Sequence, residues 1–134
     1  MDDTKRPDVI VVGDLEGILR VQRILSPLEA TTCTLNLDYE PAQRLVARQR
    51  PKVLVLAAGD KGWAAQMLHF VATDPGASDT QVFFYATSPE YVAGLVDYYP
   101  QVKFFDGSKG HPNQSMHRGS QLLNQVRLAL TTGA

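Results

Sequence analysis

The chain has 134 residues, enough for one domain with a sizeable core, and 44% apolar against 20% charged content excludes wholesale disorder. A formal charge of −1 gives no general reason to expect a nucleic acid or a membrane surface as partner, and Cys33, the single cysteine, excludes an intrachain disulfide or a thiolate metal cluster. No apolar run approaches the ~20 residues of a membrane span, and the polar start Met-Asp-Asp-Thr-Lys-Arg-Pro-Asp is unlike a secretory signal, so a soluble, cytoplasmic protein is expected.

Residues 1–7 read as a loose arm ending in Pro7. Val9-Ile10-Val11-Val12, stopped by Gly13-Asp14, is a continuous β-branched run and predicts an interior strand. Ile18, Val21, Leu25 and Leu28 then recur at helical spacing up to Pro27. Cys33, Leu35 and Leu37 alternate with Thr32, Thr34 and Asn36, the pattern of a half-buried strand near a sheet edge. Asp38 is a candidate cap for a helix over 41–49, with Ala42, Leu45 and Val46 inward and Arg44, Arg48 and Arg50 outward. Pro51 introduces Val53-Leu54-Val55-Leu56-Ala57, closed by Gly59-Asp60, a strand buried on both faces.

Trp63, Met67, Phe70 and Val71 outline a third helix, ended by the turn-rich 74–79. Gln81 to Ala86 predicts a fourth strand. Ser88-Pro89-Glu90 opens a helix whose inner face is Val92, Leu95, Val96 and Tyr99, with Pro100 as its stop. Val102-Lys103-Phe104-Phe105 predicts a fifth strand, and a polar loop from Asp106 to Arg118 leads to a last helix carrying Leu122, Leu123, Val126 and Leu130. There is no internal repeat and no linker long enough to divide domains. One domain over 1–134 is expected, with 131–134 as a tail. Strands alternating with helices through short links imply an α/β fold: a flavodoxin-like (βα)5 three-layer sandwich with a parallel sheet in the order 2-1-3-4-5.

In such a sheet, ligands and chemistry gather at the carboxyl ends of the central strands. Ala57-Ala58-Gly59 stands there, with no nucleophile.

From Val9 to Asp14 and on to Ile18-Leu19-Arg20, in Arg50-Pro51-Lys52-Val53-Leu54-Val55-Leu56, and in Ser108-Lys109-Gly110, the chain resembles the receiver (CheY-like) domain of two-component response regulators. The resemblance covers residues 8 to 131. In that family paired acids after the first strand hold Mg²⁺, an aspartate ending the third takes a phosphoryl group, and a hydroxyl and a lysine contact it. Residue by residue, the resemblance implies Gly13 for the first acid, Asp14 for the second, and Ala57 for the phosphoacceptor. It implies Ala86 for the hydroxyl position, or Thr87 with a one-residue shift, and Lys109 for the lysine, followed by Gly110 where the family has proline. Asp106 stands where members often carry an aromatic. Alanine offers no attacking oxygen and no metal ligand, and one carboxylate makes a poor Mg²⁺ site. What the resemblance implies is a pseudoreceiver, with no cofactor and no enzymatic activity, binding another signalling protein or domain or a second copy of the chain.

Each chemically suggestive residue also has a plain structural explanation. Asp14 and Glu16 are either a weak cation site or solvated carboxylates; Asp60, about 10 Å beyond Ala57 if the chain is extended, is a turn or cap rather than a displaced acceptor. Lys109 either pairs with Asp14 or meets an anion. His111 and His117 lack zinc spacing and are expected at the surface, His69 is expected partly buried, and Cys33, Trp63 and Met67 are expected in the core. No Lys or Arg occurs between Gly62 and Val102, whereas Glu90 and Asp97 neighbour Tyr91 and Tyr98. Aromatics among acids suit a protein partner, and the family's usual contact surface (fourth helix, fifth strand, fifth helix) adds Lys103 and Phe104 to that candidate surface. The alternative is a small-ligand or anion sensor using room left by small side chains at 13, 57 and 86.

Overall fold

The computed structural model describes residues 8–28, 32–35, 39–58, 61–73, 80–107 and 116–132. One sheet organises them. Its strands are β1 (Val9–Gly13), β2 (Thr32–Leu35), β3 (Val53–Ala58), β4 (Gln81–Ala86), β5 (Lys103–Asp106) and β6 (His117–Arg118). They lie in the order β2-β1-β3-β4-β5-β6, every neighbouring pair parallel. The expected order 2-1-3-4-5 is therefore present, with β6 added outside β5.

Helices α1 (Leu15–Leu25), α2 (Tyr39–Gln49), α3 (Lys61–Thr73), α4 (Pro89–Val92) and α5 (Leu122–Thr132) cover the two faces. Side chains alternate across a strand, so each face has its own core. Val9, Val11, Val55, Phe83 and Phe105 pack with Ile18 and Val21 of α1 and Leu122 and Val126 of α5. Ile10, Leu54, Leu56, Phe84 and Phe104 pack with Val46 of α2, Met67 and Leu68 of α3, and Val92 of α4. Aromatic pairs couple β4 to β5 on both faces, Phe83 with Phe105 at 5.7 Å between ring centroids and Phe84 with Phe104 at 5.5 Å. Burying one such ring contributes on the order of 2–3 kcal/mol. With helices on both sides, no residue of β3 can be polar, and all of Val53 to Ala58 is buried.

Several elements differ from the pattern in the sequence. α2 starts at Tyr39, ahead of the expected 41, because Pro41 is tolerated in a first turn where its missing N–H has no partner to lose. The expected helix up to Pro100 is only the α4 turn, which passes into a 3₁₀ segment, Ala93–Tyr98. Gly94 and the β-branched Val92 and Val96 lower helix propensity there, and Ser88 makes no side-chain capping bond. Asp106 closes β5 instead of opening a loop, and β6 pairs Phe105 with His117 and Asp106 with Arg118. The last helix runs through Thr132, where a tail was expected from 131, and the Thr131 hydroxyl donates to the carbonyls of Arg127 and Leu128. His69 is exposed, not partly buried, since it lies on the solvent side of α3 away from Met67 and Leu68. Asp38, Leu37 and the 1–7 arm lie outside the described residues.

Candidate functional site

The strand register brings the carboxyl ends of β1, β3 and β4 together. Gly13 is level with Ala57, and Ala57 with Tyr85. Adjacent strands at one register level share a face, so these three stand under α1 on the α1–α5 side. Ala57 is fully buried there, in contact with the core that holds Ile18 and Tyr85.

Two glycines make that closure possible. A Cβ at Gly13 would run into the carbonyl oxygen of Ala57, and so would one at Gly17 of α1. The Asp14 backbone N–H donates to the same carbonyl oxygen at 3.1 Å. The chain after β1 and the first turn of α1 therefore rest directly on the end of β3. The room expected at position 13 is absent, because the backbone fills it. Ala86 is fully buried.

Asp14 is exposed, and its Oδ1 accepts from the Gly17 N–H at 2.7 Å, so the carboxylate caps α1. Glu16 in the first turn meets Arg20 one turn on, at 2.6 Å. The other guanidinium nitrogen, Nη1, donates to the Gly107 carbonyl at 2.8 Å, tying α1 to the chain leaving β5. Beside it the Tyr85 ring occupies a tight slot. A Cβ at Gly107 would lie 2.6 Å from Tyr85 Cε1, and one at Gly119 would lie 2.7 Å from the Asp106 carbonyl oxygen and 3.1 Å from Tyr85 Cε2. The Tyr85 ring is thus held against the chain leaving β5, a placement that the strand pattern of 81–86 does not reveal.

Ala86 is level with Ala58 and belongs to the opposite core from Ala57. Thr87, one residue on, is half-buried and its N–H donates to the Ala58 carbonyl at 3.3 Å. Strand parity therefore separates Ala86 from Ala57. Lys109, His111 and Asp60 lie outside the described residues, as does the expected pairing of Lys109 with Asp14. The Mg²⁺ that a receiver fold implies does not fit these residues: Gly13 and Ala57 supply no side-chain oxygen, and one oxygen of Asp14 is engaged by the helix cap. Among the described residues, no three His, Cys, Asp or Glu side chains come together as a metal cluster.

The candidate partner surface divides. Glu90, Asp97 and Lys103 are exposed, and Tyr98 is 77% exposed. The Tyr91 side chain lies outside the described ones. Phe104 is 2% exposed and packs under the α2–α4 layer, so its place on a contact surface is corrected. Lys103 is on the other face, its Nζ 3.0 Å from Gln125 Oε1 and 5.8 Å from the Phe83 ring centroid. Neighbouring strand residues cannot share one surface. His117 is exposed and stacks on Phe105 at 5.2 Å.

No family description and no curated protein matches this sequence. A solved structure does: the signal receiver domain of an HD domain-containing protein from Pseudomonas fluorescens Pf-5, at a TM-score of 0.60 and 19% identity, over 96% of this chain and 90% of that one. The fold is that of a signal receiver domain, a flavodoxin-like (βα)5 sandwich. At this identity the likeness speaks for the fold alone. Among the described residues no helix is long and apolar enough to cross a membrane.

Proposed function

We propose that this chain is a receiver-fold signalling or scaffolding module that binds another protein and does not accept a phosphoryl group. The observation that carries the reading is Ala57, a buried methyl under the Gly13–Gly17 closure. Acyl-phosphate formation requires a carboxylate oxygen in line with the donor phosphorus and a cation to offset the charge. Gly13 and Ala57 supply no such oxygen, which supports reading the module as non-enzymatic and not switched by phosphate. Any change of state must come from a partner with different affinity for the two conformations.

Binding is assigned to the acidic, tyrosine-bearing end of the molecule, Glu90, Asp97 and Tyr98. Tyr at such density in a cation-free stretch suits a protein contact. The ligand-sensor alternative has no room at position 13, where a Cβ would meet the Ala57 carbonyl, and would have to use the space beside Ala57 and Ala86. The test is intact-mass measurement after incubation with acetyl phosphate and Mg²⁺. No phosphoryl mass is expected, and a stoichiometric acyl phosphate on any aspartate overturns the reading.

A further inference from the structure

We infer that the outer surface of the α2–α3–α4 layer is an interface between two copies of this chain, paired about a two-fold axis near α3. The inference rests on the protein-binding reading above and names the partner.

α3 packs against α2 on one side and α4 on the other, so α2 and α4 are the outer members of one layer. On α2, Arg44 and Arg48 are exposed and flank buried Val46, which turns both toward solvent on the back of the helix. They are one turn apart, a like-charge pair that weakens an isolated helix. Neither has an ion-pair partner among the described residues. At the other end of the layer, Glu90 and Asp97 are exposed and equally without a partner among the described residues.

Between these ends α3 carries no charged residue from Gly62 to Thr73, Lys61 at its first position being the one charge in the helix. Its exposed positions from Gly62 onward are Gly62, Gln66, His69, Ala72 and Thr73. The Thr73 hydroxyl turns back onto its own helix, 2.9 Å from the His69 carbonyl oxygen. An exposed stretch of about three helical turns without a charge, on a chain that is 20% charged, suits the centre of an interface, where charged residues are depleted. A surface basic at one end, neutral in the middle and acidic at the other is complementary to itself after a half-turn. Two copies then match Arg44 and Arg48 of each to Glu90 and Asp97 of the other, forming the same contact twice.

The test is sedimentation velocity of the full chain at about 100 µM in low salt, where weak association is visible. A dimer is expected, dissociating toward monomer near ~0.5 M salt as the charge contacts are screened. The double reversals R44E/R48E and E90R/D97R each raise the dissociation constant by about a hundredfold or more, with far-UV circular dichroism unchanged. Mixed together, the two variants form a one-to-one heterodimer, because both contacts regain opposite charges. The fourfold variant with all four positions reversed dimerises again. A wild-type chain that stays monomeric, variants that still dimerise, a mixture or a fourfold variant that stays monomeric, or species larger than dimers each overturn the inference. If the wild type is monomeric while E90R/D97R loses capture of a different protein, the protein-binding reading stands and self-pairing fails.

Discussion

Ala57 carries the functional argument because a methyl group there lacks the oxygen that phosphoryl chemistry requires. Beside it, Gly13 and Gly17 let the chain after β1 and the first turn of α1 come down onto the Ala57 carbonyl. The glycines should be intolerant of even a single carbon. Gly13→Ala is expected to lose about 2–4 kcal/mol of stability in urea unfolding, since the obstacle is a backbone carbonyl that cannot step aside. Restoring the acid alone should not restore the chemistry. Ala57→Asp places a carboxylate in a fully buried position, with an expected loss of about 3 kcal/mol or more and no uptake of phosphoryl groups by mass measurement. The missing oxygen was legible in the sequence, residue by residue. The closure was not, because close approach of two strands and a helix is a distance through space that no local pattern encodes. Phe104 shows the opposite case: the alternation of Lys103 and Phe104 already separated them onto two faces, and grouping them on one surface set that period aside.

Elements followed their hydrophobic periods where those were strong and departed where propensity was weak. The β1, β3 and β4 runs and the α1 and α5 faces were readable from periodicity, whereas the segment after Ser88 kept a helical spacing of apolar residues without the propensity to hold a regular helix. β6 left no signal: two exposed residues, His117 and Arg118, extend the sheet by pairing alone. Two predictions belong to this scale. Arg50 ends α2 at φ 47°, in the left-handed region, and its N–H donates to the Val46 carbonyl at 3.0 Å. Glycine suits that position, so Arg50→Gly should raise stability by about 0.5 kcal/mol, the relief of left-handed strain exceeding the added chain entropy, as read by thermal unfolding. Arg20→Ala should cost about 1–2 kcal/mol, mostly through the lost bond to the Gly107 carbonyl, and should speed amide exchange in the chain leaving β5. The exposed Glu16 pairing adds only a few tenths of a kcal/mol to that figure.

As a whole the molecule has the fold of a receiver domain, and the space beside Ala57 at Gly13 and Gly17 is filled by backbone. Alternating strands and helices made the sandwich and its strand order legible, since right-handed crossovers leave few other arrangements. The charge distribution was legible too, as a cation-free stretch facing a run of arginines. Its meaning required the helix order in space, which sets the two at opposite ends of one layer. The most direct measurement is an amide correlation spectrum recorded while Mg²⁺ and beryllofluoride are added. A filled site predicts that the resonances of Gly13, Asp14, Ala57 and Thr87 stay where they are. Saturable shifts at those residues would contradict the account.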